Sequence, residues 1–199
     1  MSTISAEREQ EYGVPYGKYA VNADMYYINS KEFAKKFDRI TENKAVNETL
    51  LKCARDAIAH RNGTLYEDMY LINGNTGEIM AEQLNSECEN GITYNDSIKA
   101  ALVKAAAENI PLIAFHSHPE GYPPSIEDFN KAYENNYSLG VVAGHNGQIY
   151  LYNAPDIFVE DADGVQKDIV FAHRSGFDID RAYRETFINY GLRYFIVKE

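Results

Sequence analysis

The sequence predicts an α/β protein in which helices pack on a mixed β-sheet to form a sandwich. One observation is the order of predicted elements along the middle of the chain, which runs helix, hairpin, helix, strand, helix, hairpin. A second is size and composition. The 199 residues, of which 45% are hydrophobic, suit one domain, or one domain with extensions, and suffice for a substantial core.

The N-terminal segment lies before these elements. Residues 1–22 are mostly polar and include Gly13 and Pro15, which predicts an extended or partly disordered arm. Residues 23–38 predict a short strand or turn, followed by a helix that Ser30 caps. We expect the aromatic side chains here to pack on the core rather than to bind a partner or another subunit, because core burial is their commoner use.

The central elements begin with a helix and a hairpin. Apolar residues recur at helical spacing over residues 43–60, and a glycine-containing segment ends that helix. Residues 65–73 and 78–84 predict two strands joined by a tight turn at 74–77.

A second helix and a buried strand follow. Asp96 or Asn95 caps the helix, and the run 111–115 then predicts the strand. Ser125 is a good N-cap for a third helix, which we expect to end near residue 136. The predicted apolar face of the second helix consists of Ile98, Leu102, Val103 and Ala106.

The last third of the chain predicts two hairpins, a helix and a closing strand. The hairpins cover residues 139–152 and 156–172, the helix covers 178–190 and the strand covers 192–197. The predicted inward face of this helix consists of Ala182, Tyr183, Phe187 and Ile188.

A possible metal site lies where the central strand runs out into a loop. Residues two apart in a strand point to the same side, so His116 and His118 aim at one point while Ser117 turns away. Converging imidazoles suit Zn²⁺, and Asp128, in the first turn of the next helix, is the candidate third ligand. By itself, the Ser125-x-x-Asp128 pattern indicates only a capping box at the start of a helix.

These residues resemble a known family. His116-Ser117-His118-Pro119, followed by Ser125-x-x-Asp128, is similar to the motif of the JAMM/MPN+ (JAB) zinc metalloproteases, and closest to bacterial and phage JAB domains related to the RadC group. Six residues separate His118 from Ser125, where about seven are commonest. The resemblance covers about residues 46–153 and implies a JAB/MPN-like sandwich with a cytidine-deaminase-like layout.

The resemblance also implies the catalytic residues. Zn²⁺ would be held by His116, His118 and Asp128, with the fourth position open to water. The family's general base is a glutamate at the start of the strand after the first helix, which matches Glu67; the returning strand offers the alternatives Glu78 and Glu82. The Ser125 hydroxyl would then donate to the oxyanion, a contribution on the order of 3 kcal/mol.

The expected activity is hydrolysis of a peptide or isopeptide bond by a zinc-dependent metalloprotease. The alternatives are a non-catalytic MPN-like interaction module and a zinc hydrolase of a small-molecule amide. The expected organisation is an N-terminal extension over residues 1–45, a catalytic domain over 46–153, and a C-terminal extension over 154–199 that packs on it. A protein or peptide substrate is expected, and homo-oligomerisation is left open.

Charge and composition bound the remaining partners. Acidic residues number 30 against 19 basic ones, a net charge of −11, which disfavours contact with nucleic acid. The two cysteines, Cys53 and Cys88, are far apart and match no metal-binding spacing. The N-terminus lacks a signal-peptide pattern and no apolar run is long enough to span a membrane, so a cytoplasmic protein is the expectation.

Overall fold

The computed structural model describes residues 20–89 and 91–198. The helices are α1 (Met25–Ile28), α2 (Lys31–Lys35), α3 (Lys44–Arg61), α4 (Asp96–Glu108), α5 (Ile126–Asn135), α6 (Ala162–Arg174) and α7 (Ile179–Asn189). The strands are β1 (Met69–Asn73), β2 (Ile79–Gln83), β3 (Leu112–His118), β4 (Leu139–Gly144), β5 (Ile149–Tyr152) and β6 (Tyr194–Ile196). Most of the arm predicted over residues 1–22 lies outside the described residues.

The six strands form one mixed sheet in the order β2-β1-β3-β4-β5-β6. Strands β3 and β4 run parallel, and every other neighbouring pair is antiparallel. The prediction of an α/β protein with a mixed sheet is therefore confirmed. The predicted closing strand is β6, which pairs with β5 and so extends the sheet.

Helices cover both faces of the sheet because its strands are apolar on both sides. On β3, Ile113 and Phe115 face one buried cluster, whereas Leu112 and Ala114 face the other. The first cluster includes buried residues of α1, α2 and α3, and the second includes buried residues of α4, α5, α6 and α7. The alternation of a strand thus assigns each residue of β3 to one helical layer.

The N-terminal aromatic residues pack on the core as expected. Ser30 caps α2 by accepting a hydrogen bond from the Phe33 N–H, and Phe33 and Phe37 are buried. The short strand or turn predicted just before it is instead the helical turn α1, whose N-cap Asp24 accepts two backbone N–H groups.

The hairpin predicted over residues 156–172 is wrong. Its second half lies in α6, because Asp161 caps a helix by accepting the Gly164 N–H. Val165 and Ile169 are buried four residues apart, which is helical spacing. The short apolar run at residues 169–172 fits either a strand or a buried helix, so by itself it did not exclude a strand.

Two predicted helix faces need correction. In α4 the buried residues are Ile98, Ala101 and Ala105, whereas Val103 is 72% exposed and Ala106 is also exposed. In α7, Ile188 is 53% exposed, although Ala182, Tyr183 and Phe187 are buried. Small alanines rather than larger apolar residues form the inner face of α4, which hydrophobicity alone did not indicate.

In the part of the chain that the structure describes, no helix is both long enough and apolar enough to cross a membrane.

Candidate metal centre

Strand β3 aims both histidines at the side of the sheet covered by α4 and α5. Met69 pairs with His116 across β1 and β3, on the same face as the buried Ala114. Ser117 points to the opposite face, where its Oγ accepts a hydrogen bond from the Asp68 N–H at 3.1 Å. Ser117 therefore joins β3 to the chain before β1, which fits the expectation that it turns away from the site.

The start of α5 brings Asp128 to the same point. Ser125 Oγ accepts the Asp128 N–H at 3.1 Å, while Asp128 Oδ2 accepts the Ser125 N–H at 2.7 Å, which completes a capping box. The Ser125 hydroxyl also donates to Asp128 Oδ2, at 2.9 Å. The cap thus orients the Asp128 carboxylate as well as starting the helix.

The three predicted ligands converge. The Nε2 atoms of His116 and His118 lie 3.0 Å apart. Asp128 places Oδ1 3.1 Å from His116 Nε2 and Oδ2 3.4 Å from His118 Nε2. A tetrahedral zinc ion with bonds of 2.0–2.1 Å would separate two nitrogen ligands by about 3.3 Å, so only a small widening would be needed.

The loop after β3 fixes the orientation of His118. Its Nδ1 lies 2.9 Å from the Tyr122 carbonyl oxygen and donates to it, so that the neutral ring carries its lone pair on Nε2, directed at the cluster. A metal-binding imidazole commonly donates its other N–H in this way. This contact has no signal in the sequence, because a residue of any type supplies a backbone carbonyl.

Glu67 lies beside the two histidines, immediately before β1. It is 7% exposed, and one ligand atom from each of Glu67, His116 and His118 lies within 4.8 Å of the others. These three residues could hold a metal ion. The alternatives Glu78 and Glu82 are exposed and do not belong to this group.

The side chain of Asp68, the neighbour of Glu67, forms its contacts on the opposite face of the sheet. Its fully buried carboxylate accepts from Arg61 Nε at 2.6 Å and contacts His60 Nδ1 at 2.8 Å. His60 lies half-exposed in the last turn of α3, where it pairs with Asp68 and not with the metal group.

The electrostatics of the cluster separate the two acids. Burial raises the pKa of Glu67, and the charges of His118 and His116 only partly oppose this. Burial also acts to raise the pKa of Asp128, but the two histidines outweigh it and hold that pKa well below its usual range. Burial opposes charge on His118 too, yet its hydrogen bond with Asp128 and the charge of Glu67 raise its pKa to about 9. In the metal-free protein, Asp128 therefore stays ionised, whereas Glu67 takes up a proton more readily than Asp128 does.

The cluster opens into a cleft of about 680 Å³. Its lining includes Cys88 and residues 91–94 and, from the loop after β3, Pro119, Glu120 and Tyr122–Pro123. Tyr137 and Tyr152 also line the cleft, and neither was predicted to lie near the site. Their burial in the core gave no sequence signal that distinguishes them from ordinary packing residues.

His145 lies close behind the loop of the cluster. It lies in the turn between β4 and β5, and its backbone N–H donates to the His118 carbonyl at 3.1 Å. Burial lowers the pKa of His145 to about 4, against a smaller opposing effect of the Val21 backbone. This buried position is consistent with a neutral turn residue.

Comparison with known proteins provides no relatives. Neither the family models, nor the curated proteins, nor the solved structures include a match to this chain.

Proposed function

We propose that this protein is a zinc-dependent metallopeptidase or isopeptidase of the JAMM/MPN+ type. The observation that carries the proposal is the meeting of two imidazoles and a capped carboxylate, with a buried glutamate beside them, at the wall of an open cleft. This donor set of nitrogen and oxygen atoms suits zinc. A domain serving only as an interaction module would have no need of these four groups at one point.

In this proposal, His116, His118 and Asp128 hold the metal. When bound, a zinc ion there would lower the pKa of a water molecule and polarise the scissile carbonyl group. Glu67 would accept the proton from water and pass it to the leaving nitrogen, a task that suits a carboxylate whose pKa burial has raised.

Ser125 would assist at the carbonyl oxygen. Its hydroxyl lines the cleft but donates to Asp128 Oδ2, so it must rotate away from that carboxylate to reach a developing oxyanion. The backbone N–H of Ser125 also donates to the same oxygen, so Asp128 stays oriented while the hydroxyl moves.

The cleft favours a peptide over a small amide as substrate. Besides the cluster itself, its lining comes from two separate segments, Cys88 with residues 91–94 and Pro119–Glu120 with Tyr122–Pro123. An extended chain lying between these segments would pass the metal group. A small-molecule site would instead be expected to enclose its ligand.

Zinc-dependent cleavage of peptides tests the proposal. The wild-type protein, loaded with zinc, should hydrolyse members of a mixed peptide and isopeptide library, and a chelator should abolish the activity. Glu67→Gln should lower kcat at least 100-fold, because the proton acceptor is lost while the shape remains. The exposed Glu82→Gln is the matched control and should retain full activity. Cleavage that survives Glu67→Gln would contradict the assigned role.

A further inference from the structure

The cleft extends beyond the metal cluster into a recess, here called the tyrosine recess, lined by Met69, Tyr94, Ala114, Tyr137 and Tyr152. Ala114 and Met69 place it beside the cluster. Ala114 lies two residues before His116 on the same face of β3, roughly 7 Å along the strand, and Met69 pairs with His116. The recess therefore lies next to the position that a scissile bond would take at the metal group, where the neighbouring side chain of a substrate could reach it.

Small residues on neighbouring strands make room for the Tyr152 ring, which lines the recess. Ala114 pairs with Gly140 across β3 and β4, and Gly140 pairs with Tyr152 across β4 and β5. A Cβ at Gly140 would lie 2.1 Å from the Tyr152 ring, so that ring covers the glycine. A methyl group and an aromatic ring therefore form the floor, which is apolar.

A pair of hydroxyl groups adds polarity to this apolar recess. The hydroxyl oxygens of Tyr94 and Tyr137 lie 2.9 Å apart, and within the described residues neither has another hydrogen bond. A pair of hydroxyls needs only one of its two hydrogens for the mutual bond, so one hydrogen remains to donate elsewhere. Burial raises the pKa of Tyr94 to about 12 and raises that of Tyr137 as well, so both are neutral donors.

The hydroxyl pair favours a neutral hydrogen-bond acceptor over a purely apolar group. Asp128 interacts electrostatically with Tyr94, Tyr137 and Tyr152. Lys99 and Lys131 also line the cleft, so charges of both signs surround the recess. A carboxamide suits the recess because it is neutral and its carbonyl accepts the spare hydroxyl hydrogen.

We infer that the tyrosine recess binds the substrate side chain next to the scissile bond and prefers a neutral carboxamide on an apolar stem, as in glutamine or asparagine. This inference rests on the proposed peptidase function and names the class of substrate for that site. Tyr94 and Tyr137 are then specificity-determining residues.

Matched peptides that differ in one side chain test the inference. Glutamine and methionine have similar length and volume, but only glutamine accepts the hydrogen bond. Library peptides with glutamine at the position next to the cleaved bond should have at least 10-fold higher kcat/KM than their methionine counterparts, because a missing partner leaves a buried hydroxyl unpaired. In the double variant Tyr94→Phe/Tyr137→Phe, the two peptides should differ by less than 2-fold.

The controls keep the test independent of folding. Tyr133→Phe removes an exposed hydroxyl of α5 that does not line the cleft and should leave the preference unchanged. All variants should bind as much zinc as the wild type. A wild-type ratio near one, or a preference that persists in the double variant, would overturn the inference.

A binding measurement separates this inference from the proposed function. Acetyl-Gly-Gln-Gly-amide and acetyl-Gly-Met-Gly-amide would be titrated into the zinc-loaded protein and followed by NMR. One outcome is that no peptide is cleaved, but the glutamine peptide binds more tightly than the methionine peptide and loses this advantage in the double variant. That outcome would contradict the hydrolase proposal and support the inference about the recess. Equal binding of both peptides would reject the recess even where cleavage occurs.

Discussion

Single residues in this protein serve two purposes at once. Asp128 both caps α5 and faces two imidazoles, so the capping and metal-binding interpretations of the Ser125-x-x-Asp128 pattern are compatible. The sequence indicated His116, His118 and Asp128 through the chemistry and spacing of their side chains, and Glu67 through the family resemblance; the structure brings these four residues close together. The sequence could not predict the Tyr122 carbonyl that orients His118, because a backbone group is independent of residue type.

The first prediction concerns the stability of the metal-free protein. The pKa of His118 is raised to about 9 in the folded state, so the stability it contributes is fully present below its unfolded value near 6.5 and is lost as pH rises through 9. The free energy of unfolding, from urea denaturation in chelator, should fall by roughly 3 kcal/mol over this window.

The variant His118→Asn provides the comparison for that prediction. Without the titrating ring, its free energy of unfolding should change much less between pH 6.5 and 9. A metal-free wild type whose stability stays level or rises over the window would show that His118 is not held in its charged form.

The second prediction distinguishes the two cysteines. Cys53 is fully buried in α3 and burial raises its pKa to about 12, whereas Cys88 is exposed on the cleft. A thiol-alkylating reagent at pH 8 should modify one thiol in the native protein and two in 6 M guanidinium, counted by mass spectrometry. Cys88→Ser should leave none reactive in the native state. Rapid modification of two native thiols would contradict the packing of α3.

At the scale of elements, the loop between β3 and α5 determines how well the site is formed. The Gly121 carbonyl accepts hydrogen bonds from the Tyr150 hydroxyl at 2.9 Å and from Asn146 Nδ2 at 3.1 Å. The Gly121 N–H in turn donates to the His118 carbonyl at 3.0 Å. The β4–β5 hairpin therefore supports the loop whose Tyr122 carbonyl orients His118.

The third prediction tests this support with a matched pair of glycines. Gly121 has φ +73°, and an added Cβ would lie 2.3 Å from the Asn146 side chain. Gly191 has nearly the same backbone, with φ +72°, but nothing lies within 4 Å of an added Cβ. Gly121→Ala should weaken zinc binding about 10- to 100-fold, as for other changes behind a metal ligand. Gly191→Ala should lose about 1 kcal/mol of stability from the strained backbone, and Gly121→Ala at least as much, because the Asn146 side chain must also move.

Chelator competition would measure the zinc affinity of both variants. Equal affinity in Gly121→Ala and Gly191→Ala would mean that the loop does not control the metal site.

Elements differed in how well the sequence predicted them. Helix α3 and the two central hairpins were confirmed because capping residues, glycine turns and apolar periodicity agree there. Helix α6 was missed because its short apolar run at residues 169–172 also fits a strand, whereas the Asp161 cap and the spacing of Val165 and Ile169 indicate a helix.

At the scale of the whole molecule, the C-terminal segment is structurally continuous with the rest. Strand β6 completes the sheet, and the ring of Tyr183 in α7 stacks on that of Tyr122, with ring centroids 6.4 Å apart. The sequence predicted that residues 154–199 pack on the central region. It could not predict that α7 would reach the loop beside the metal group, because that contact depends on how α7 packs against the rest of the fold.

The fourth prediction tests whether α7 is part of the common core. Phe187 is 1% exposed and its ring packs against those of Phe129 and Tyr194, whereas the adjacent Ile188 is 53% exposed. Phe187→Ala should lower the free energy of unfolding by about 3–5 kcal/mol, and Ile188→Ala by less than about 1 kcal/mol. Urea denaturation measures both. Similar losses in the two variants would contradict the packing of α7 on the sheet.

The zinc content of the purified protein tests the central claim most directly. Elemental analysis would compare the wild type with His116→Ala, Asp128→Asn and Glu67→Gln. We expect about one zinc per chain in the wild type and in Glu67→Gln, and none in the other two variants, because histidine and aspartate ligate the metal while glutamate acts on the water. Loss of zinc in Glu67→Gln would make that residue a ligand. A wild-type protein that takes up no zinc at neutral pH would contradict the metal site itself.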